Sequence, residues 1–250
     1  MTPYAKKSLG QHFMSDTNMI RKIMDVIAPD AKEHIIEIGP GRGALTGPLL
    51  ESGCRLTVFE LDTVLAAGWK KKEHPGFRCI EENILQSDWS AYFPVDKLVG
   101  NIPYNISRPL MYKLYAHRKD IPEAVFVVQK EFAEKLIASP GEPAYNILSV
   151  LTQIFAETEY LFTIPPDVFS PPPKVDSACI RLRFKNTETD DALLVDCVKG
   201  AFRQRRKKLR NSLKEFYKAE YEHIFPWDSR ADGIAPGEYL RLIDLLKNDQ

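Results

Sequence analysis

Short apolar runs recur between helical patterns through most of this chain, and no other feature limits its fold as tightly. IIEIG (35–39) is followed by ALTGPLLESG, and RLTVFELD (55–62) by a helical 63–73. FRCIEEN (77–83) and DKLVGN (96–101) lead to a helical 107–118, and EAVFVVQ (123–129) to a helical 130–138. Strands alternating with helices in this way are βαβ units, which demand a parallel sheet. Near-continuous apolar strands such as VFVV fit a sheet covered on both faces. EYLFTI (159–164) and SACIRLRF (177–184), on either side of PPDVFSPPPK, read as a closing, hairpin-like pair. KNTETDD (185–191) reads as a linker, and beyond it the pattern is helical to the end, interrupted near PW and APGE. The expected organisation is an α/β domain over 1–184, a linker over 185–191 and a helical domain over 192–250.

Composition removes several function classes. No run of about 18 apolar residues exists, so no membrane-spanning helix is expected. The start, MTPYAKKSLGQHFM, lacks the apolar core of a secretion signal. Cys54, Cys79, Cys179 and Cys197 are far apart and form no CxxC or Cys/His cluster, which points to reduced cysteines in a cytoplasmic protein with no metal site. The 34 basic and 34 acidic residues cancel, yet FRQRRKKLRNSLK (202–214) carries seven Lys or Arg and no acid. A phosphate backbone responds to such a local patch rather than to the total. Val198, Phe202, Leu209, Leu213 and Phe216 recur at mostly helical spacing and are expected to face the core. Arg205, Arg206, Lys207, Lys208 and Arg210 cannot all share that stripe and are expected to meet RNA phosphates.

EIGPGRGALT (37–46) places Gly39, Gly41 and Gly43 directly after the first strand of the alternation and before a helix. Glycines there permit positive φ and a close approach of backbone to a ligand at the helix N-terminus. The next strand ends in FELD, so Glu60 lies 17 residues past Gly43, where an acid can hold both hydroxyls of a ribose. These features suit a dinucleotide and S-adenosylmethionine equally. The loop GPGRG in place of GxGxxG, the strand ending in Asn83 and the strand ending in NIPY favour S-adenosylmethionine. An amide at Asn83 suits an adenine amino group, and NIPY has no role in hydride transfer.

NIPY answers a specific chemical need. The exocyclic N6 of adenine is a poor nucleophile because its lone pair is delocalised into the ring. Two acceptors gripping its two hydrogens bias it toward a tetrahedral, lone-pair-bearing geometry. The Asn101 side-chain oxygen and the Ile102 carbonyl can do this if Pro103 fixes the turn. Tyr104 then stacks on a base rotated out of its helix, as base-modifying enzymes require.

At this point the chain resembles the ribosomal RNA adenine N6-dimethyltransferase family, and most closely its small-subunit, KsgA-type branch. The resemblance is carried by KKSLGQHF (6–13), EIGPGRGALT (37–46), VFELD (58–62), GNIPYNIS (100–107), VVQKEFAEKL (127–136), FSPPPKVDSACIRL (169–182) and RRKKLRNSL (205–213). It implies a Rossmann-like methyltransferase domain with a seven-stranded, mostly parallel sheet and a small all-α C-terminal domain. It implies S-adenosylmethionine as methyl donor and two adjacent adenines near the 3′ end of small-subunit rRNA as substrate, within an immature 30S-type particle. Each adenine receives two methyl groups, and the protein acts as a monomer. Carried over by residue, Gly39 and Gly41 lie along the methionine part of the cofactor, Glu60 binds its ribose, and Leu61, Asn83 and Ile84 surround its adenine. His12 and Met14 stand where the family usually shows Asn and Leu, in a segment that closes over the cofactor. Asn83 stands where Asp is common. Phe169 is expected to stack on the target base opposite Tyr104. Three alternatives remain: a large-subunit dimethyltransferase of the macrolide-resistance type, a nucleic-acid-binding relative without catalysis, and a nucleotide-dependent oxidoreductase. RRKKLRNSL and PPPKVDS favour the small-subunit branch over the first. The intact glycine loop and NIPY argue against the second, and the third lacks any hydride-handling constellation.

Overall fold

A computed structural model describes residue 6 and residues 9–248. Residues 1–5, read above for a leader, and Lys7 and Ser8 of the KKSLGQHF motif lie outside the described residues. In chain order the elements are β1 (Phe13–Met14), α1 (Thr17–Ile27), β2 (His34–Ile38), α2 (Thr46–Glu51), β3 (Arg55–Phe59) and α3 (Thr63–Trp69). Next come β4 (Phe77–Ile80), β5 (Lys97–Asn101), α4 (Ser107–Ala116), β6 (Glu123–Gln129), α5 (Lys130–Ile137), α6 (Ile147–Phe155) and β7 (Ala156–Ile164). The chain ends with β8 (Phe169–Ser170), β9 (Ser177–Phe184), α7 (Asp191–Arg203), α8 (Leu209–Ser212) and α9 (Pro236–Asn248).

The chain divides into two compact units, one of residues 1–133 and 159–184, the other of 134–158 and 185–250. The first is built on a seven-stranded sheet of order β4-β3-β2-β5-β6-β9-β7. Strands β4, β3, β2, β5 and β6 pair in parallel, and β9 returns antiparallel to β6. The apolar runs supply its core: Ile35, Ile36, Leu56, Val58, Leu98, Val99, Val125 and Phe126 are all buried. Burial on both faces explains why these strands read as continuous apolar stretches instead of alternating ones. The final pair, β9 and β7, are sheet neighbours, as the hairpin-like reading requires. In this order the chain steps outward from β2 to β3 and β4 on one side, and from β5 to β6 on the other. The carboxyl ends of β2 and β5 therefore flank a topological switch point, the place where such sheets bind ligands.

Two features differ from the sequence expectations. A separate two-stranded sheet joins β1 to β8, with Phe13 opposite Ser170 and Met14 opposite Phe169. Two-residue strands carry no periodicity, so nothing in the sequence announces this pairing. The second difference is the division of the chain. A single boundary after residue 184 puts 134–158 with the sheet, whereas these residues cluster with the C-terminal helices. The physical reason lies in α6, ILSVLTQIF, which has no charged residue and buries Leu148, Val150, Leu151, Ile154 and Phe155. A helix apolar on more than one face needs cover on more than one side, and α7 and α9 both pack against it. Tyr145, just before α6, donates from its hydroxyl to the Ile234 carbonyl at 2.7 Å and locks the same grouping.

Within the second unit, α7 starts at an N-cap, Asp190, whose carboxylate accepts from the Leu193 N–H. The residues 185–190 before it are irregular, and Asp191, the last residue of the expected linker, is already helical. Val198, Leu209 and Leu213 are buried and Phe202 and Phe216 half-buried, as the apolar stripe predicts. The helix itself does not run through: α7 ends at Arg203, and α8 begins only at Leu209.

Candidate active site

A cleft in the first unit opens at the carboxyl ends of β2, β3 and β5. It is lined by the glycine loop, the FEL and NIPY strand ends, the Glu82–Ile84 turn and the segment Leu9–Met14. Of the residues expected to hold the cofactor, all nine lie on its wall: His12, Met14, Gly39, Gly41, Glu60, Leu61, Asn83, Ile84 and Asn101. Ile102 and Tyr104 line it too. Phe169 does not.

The glycine loop presents bare backbone to the cleft. Gly39 and Gly41 have φ of 68° and 54°, and a Cβ built on Gly39 meets no atom within 4 Å. The space in front of that backbone is thus open to a ligand. The loop is braced from behind: the Trp69 indole donates to the Gly41 carbonyl at 3.0 Å. Glu60 follows directly on β3 and is buried. Its carboxylate accepts the Gly41 N–H at 3.1 Å and the Asp62 N–H at 2.8 Å. Burial raises its pKa, and these backbone donors pull against that rise. Each oxygen keeps a lone pair for a hydroxyl in the cleft, which suits a ribose. Beside it Leu61 is 50% exposed, an apolar side chain on the cleft wall. Asp62 then turns back to cap α3, accepting from Val64, and pairs with Lys6 at 2.9 Å.

A second carboxyl, Glu37 of β2, sits buried at the back of the same cleft. Burial lifts its pKa to about 8, against a bond from the Thr46 hydroxyl at 2.7 Å and with the Glu60 charge adding to the rise.

Strand β5 delivers the NIPY loop. Gly100 has no room for a side chain, because a Cβ there would come within 2.6 Å of the Ile38 carbonyl oxygen on the neighbouring strand. This close approach sets Asn101 directly beside the glycine loop. The Asn101 amide N–H donates to the His12 carbonyl at 2.8 Å, which orients the amide so that its oxygen is the atom left to accept. The Ile102 N–H is tied to the Val127 carbonyl at 2.9 Å. Tyr104 donates or accepts through its hydroxyl with Ser177 at 2.7 Å.

Three residues behave differently from expectation. Phe169 is 3% exposed and packs in the core cluster with Met14, its partner in the small sheet. The ring found against Tyr104 is His12, with centroids 5.8 Å apart and planes at 28°. The His12 imidazole is also bonded to the Pro171 carbonyl at 2.8 Å, so it reaches the cleft through stacking and through its backbone carbonyl. The Asn83 amide oxygen already accepts the Leu85 N–H at 3.0 Å, closing a local turn. That oxygen keeps one lone pair, and the NH2 group also has capacity for a ligand. Asparagine's affinity for such self-made turns was the available signal.

The basic stretch also differs. Arg205 pairs with Asp232 at 3.2 Å, Lys208 with Asp228 at 3.1 Å, and Arg210 with Glu222 at 2.6 Å. Arg206 and Lys207 are exposed and have no acidic partner among the described residues. The absence of acids within 202–214 is real, but acids from 222, 228 and 232 fold back onto it.

Among the described residues no group of His, Cys, Asp and Glu could hold a metal ion, and all four cysteines are free thiols. No described helix is long and apolar enough to cross a membrane.

A sheet of this order, with a glycine loop, a ribose-ready acid and an open apolar wall at its switch point, defines a Rossmann-like, S-adenosylmethionine-dependent methyltransferase fold. Residues 3–248 match the ribosomal RNA adenine dimethylase family, and the chain belongs to that family. It is 39% identical over 96% of its length, and 96% of the relative's, to the ribosomal RNA small subunit methyltransferase A of Xanthomonas axonopodis. The protein of the same name from Hydrogenovibrio crunogenus is 39% identical over 98% of this chain and 97% of its own. Among solved structures, the 23S rRNA methyltransferase ErmE aligns with a TM-score of 0.71 at 27% identity, over 95% of this chain and 100% of its own. A dimethyladenosine transferase from Plasmodium falciparum shares the fold, with a TM-score of 0.84 at 23% identity over 95% of this chain and 98% of its own.

Proposed function

We propose that this protein dimethylates N6 of two adjacent adenines near the 3′ end of small-subunit rRNA, using S-adenosylmethionine. The observation that carries this reading is the Asn101 amide, held by His12 with its oxygen free, at the end of the strand beside the glycine loop and three residues before Tyr104. The residues present fit the donor: Gly39 and Gly41 give it backbone to lie on, Glu60 its ribose contact, and Leu61 an apolar wall for its adenine. When bound, S-adenosylmethionine supplies an electrophilic sulfonium methyl.

The chain's own contribution is positioning. Asn101 Oδ1 and the Ile102 carbonyl accept the N6 hydrogens, two in the first transfer and the remaining one in the second, which localises the nitrogen lone pair for attack on the methyl and leaves the demethylated cofactor as the departing group. Tyr104 stacks on the extruded base, a contact of roughly 1–3 kcal/mol. No general base is required before attack, because the methylated nitrogen loses its proton to water afterwards. The choice of the small subunit rests on the likeness to small-subunit methyltransferases that are 39% identical over nearly the whole chain, against 27% for the 23S enzyme. The exposed Arg206 and Lys207 contact rRNA phosphate, and the protein works as a cytoplasmic monomer on the immature 30S-type particle. Incubation with methyl-labelled S-adenosylmethionine and a mixture of unmethylated small and large subunits, followed by mass-spectrometric mapping, tests this. Label on two adjacent adenines near the 3′ end supports the reading; label confined to large-subunit rRNA overturns it.

A further inference from the structure

Stacking on a base needs only a ring, and a phenylalanine would serve. The hydroxyl of Tyr104 therefore requires its own explanation. It lies 2.7 Å from Ser177 Oγ, and Ser177 is 0% exposed. Ser177 is the first residue of β9 and stands opposite Gln129 of β6, so it is held by the antiparallel ladder of the main sheet. Tyr104 is its hydroxyl's partner among the described residues, and a buried hydroxyl left alone is costly. Burial raises the Tyr104 pKa, so the phenol stays protonated and able to donate.

We propose that Ser177 is a positioning residue for the target base: it pins the Tyr104 ring at its para position and so holds the stacking platform in one plane. The bond ties the NIPY loop to the start of β9, whose preceding loop is PPPKVD (171–176). A ring fixed at Cβ and at its hydroxyl cannot swing out when the cleft is empty, so less order is lost when a base arrives. This inference rests on the adenine-methylating reading above.

The test is a double-mutant cycle on small-subunit rRNA, with cofactor affinity measured in parallel by calorimetry. Ser177→Ala and Tyr104→Phe should each lower kcat/KM for RNA roughly 3- to 10-fold, the size of one net hydrogen bond. The double variant should lose no more than the worse single variant. Ser177→Thr, which keeps the hydroxyl, should recover most of the loss, and S-adenosylmethionine affinity should stay within about twofold, since no bond to the cofactor wall changes. Losses that multiply in the double variant, or cofactor affinity that falls in step with turnover, would show a merely structural serine and overturn the proposal. Should Ser177→Ala fail to fold, Tyr104→Phe decides alone, because it removes the same bond from the cleft side: full kcat/KM in that variant overturns it. Wild-type protein that methylates no small-subunit adenine defeats the parent reading and is a separate outcome.

Discussion

The cleft and the basic stretch are both short motifs rich in polar groups, yet only the cleft could be read closely from its own residues. In the cleft each functional residue is delivered by the backbone of its own motif, and only its final orientation comes from distant groups such as the His12 carbonyl and the Ser177 hydroxyl. Gly100 lets β5 approach β2, Asn101 follows, and Tyr104 closes the loop three residues later. In the basic stretch the state of each cation is decided by residues far along the chain. Arg205, Lys208 and Arg210 meet Asp232, Asp228 and Glu222, so a run that looks uniformly positive is neutralised at three places. A motif is self-interpreting when its geometry is local, and a charge run is not.

The largest effect expected from breaking the cleft side is at Asn101. Removing its oxygen takes away an acceptor aimed at the reacting nitrogen, and loss of one such preorganised group typically costs about 10²–10³ in rate. Asn101→Ala should therefore lose methyl transfer to small-subunit rRNA by at least that much, while calorimetry shows cofactor affinity changed only several-fold. Near-full turnover would remove Asn101 from the mechanism.

Glu60 comes next. Loss of charge-assisted bonds to two ribose hydroxyls should weaken cofactor binding by on the order of 2–4 kcal/mol in Glu60→Ala. An unchanged dissociation constant would place the ribose elsewhere. Glu37 gives a smaller effect that depends on pH. Its pKa is raised from 4.5 to about 8, so between those values the folded protein keeps a proton that the unfolded chain has released. Stability from this group is therefore lost as pH rises through that window, and levels off above about 8. Glu37→Gln cannot ionise, so its melting temperature should fall less than that of the wild type across the same range. Parallel pH profiles would mean that Glu37 is ionised throughout.

The smallest effect is on the basic side, and it sharpens the contrast within that stretch. Arg206 and Lys207 each lost from RNA should flatten the salt dependence of binding by roughly 0.7–0.9 in log–log slope. Arg206→Gln with Lys207→Gln should reduce the slope by more than Arg205→Gln with Lys208→Gln, whose cations already face Asp232 and Asp228. Equal reductions would show that the folded-back acids do not hold those cations away from RNA.

Much of the fold was legible because apolar runs of strand length between helical patterns leave few alternatives to a parallel sheet. The cofactor wall was legible for the same reason that the NIPY loop was: strand ends converge at a switch point, so motifs at those ends meet. What escaped the sequence depended on partners without local signatures. The pairing of β1 with β8 turns Phe169 into the core beside Met14 and leaves His12 on the Tyr104 ring. The place of α6 among the C-terminal helices follows from burial on several faces, which a chargeless ILSVLTQIF already hinted at. Asn83 commits one lone pair of its oxygen to the Leu85 N–H, a bond that depends on the turn and not on the ligand.

The claim at the centre of this account is geometric: one cleft holds the cofactor along Gly39–Glu60 and an extruded adenine against Asn101 and Tyr104. A crystal structure with S-adenosylhomocysteine and adenosine monophosphate bound together tests it most directly. The account predicts the N6 amino group within hydrogen-bonding distance of both Asn101 Oδ1 and the Ile102 carbonyl, its ring stacked on Tyr104, and the cofactor ribose on Glu60. An adenine seated away from Asn101, or a cofactor whose ribose leaves Glu60 unbound, would contradict it.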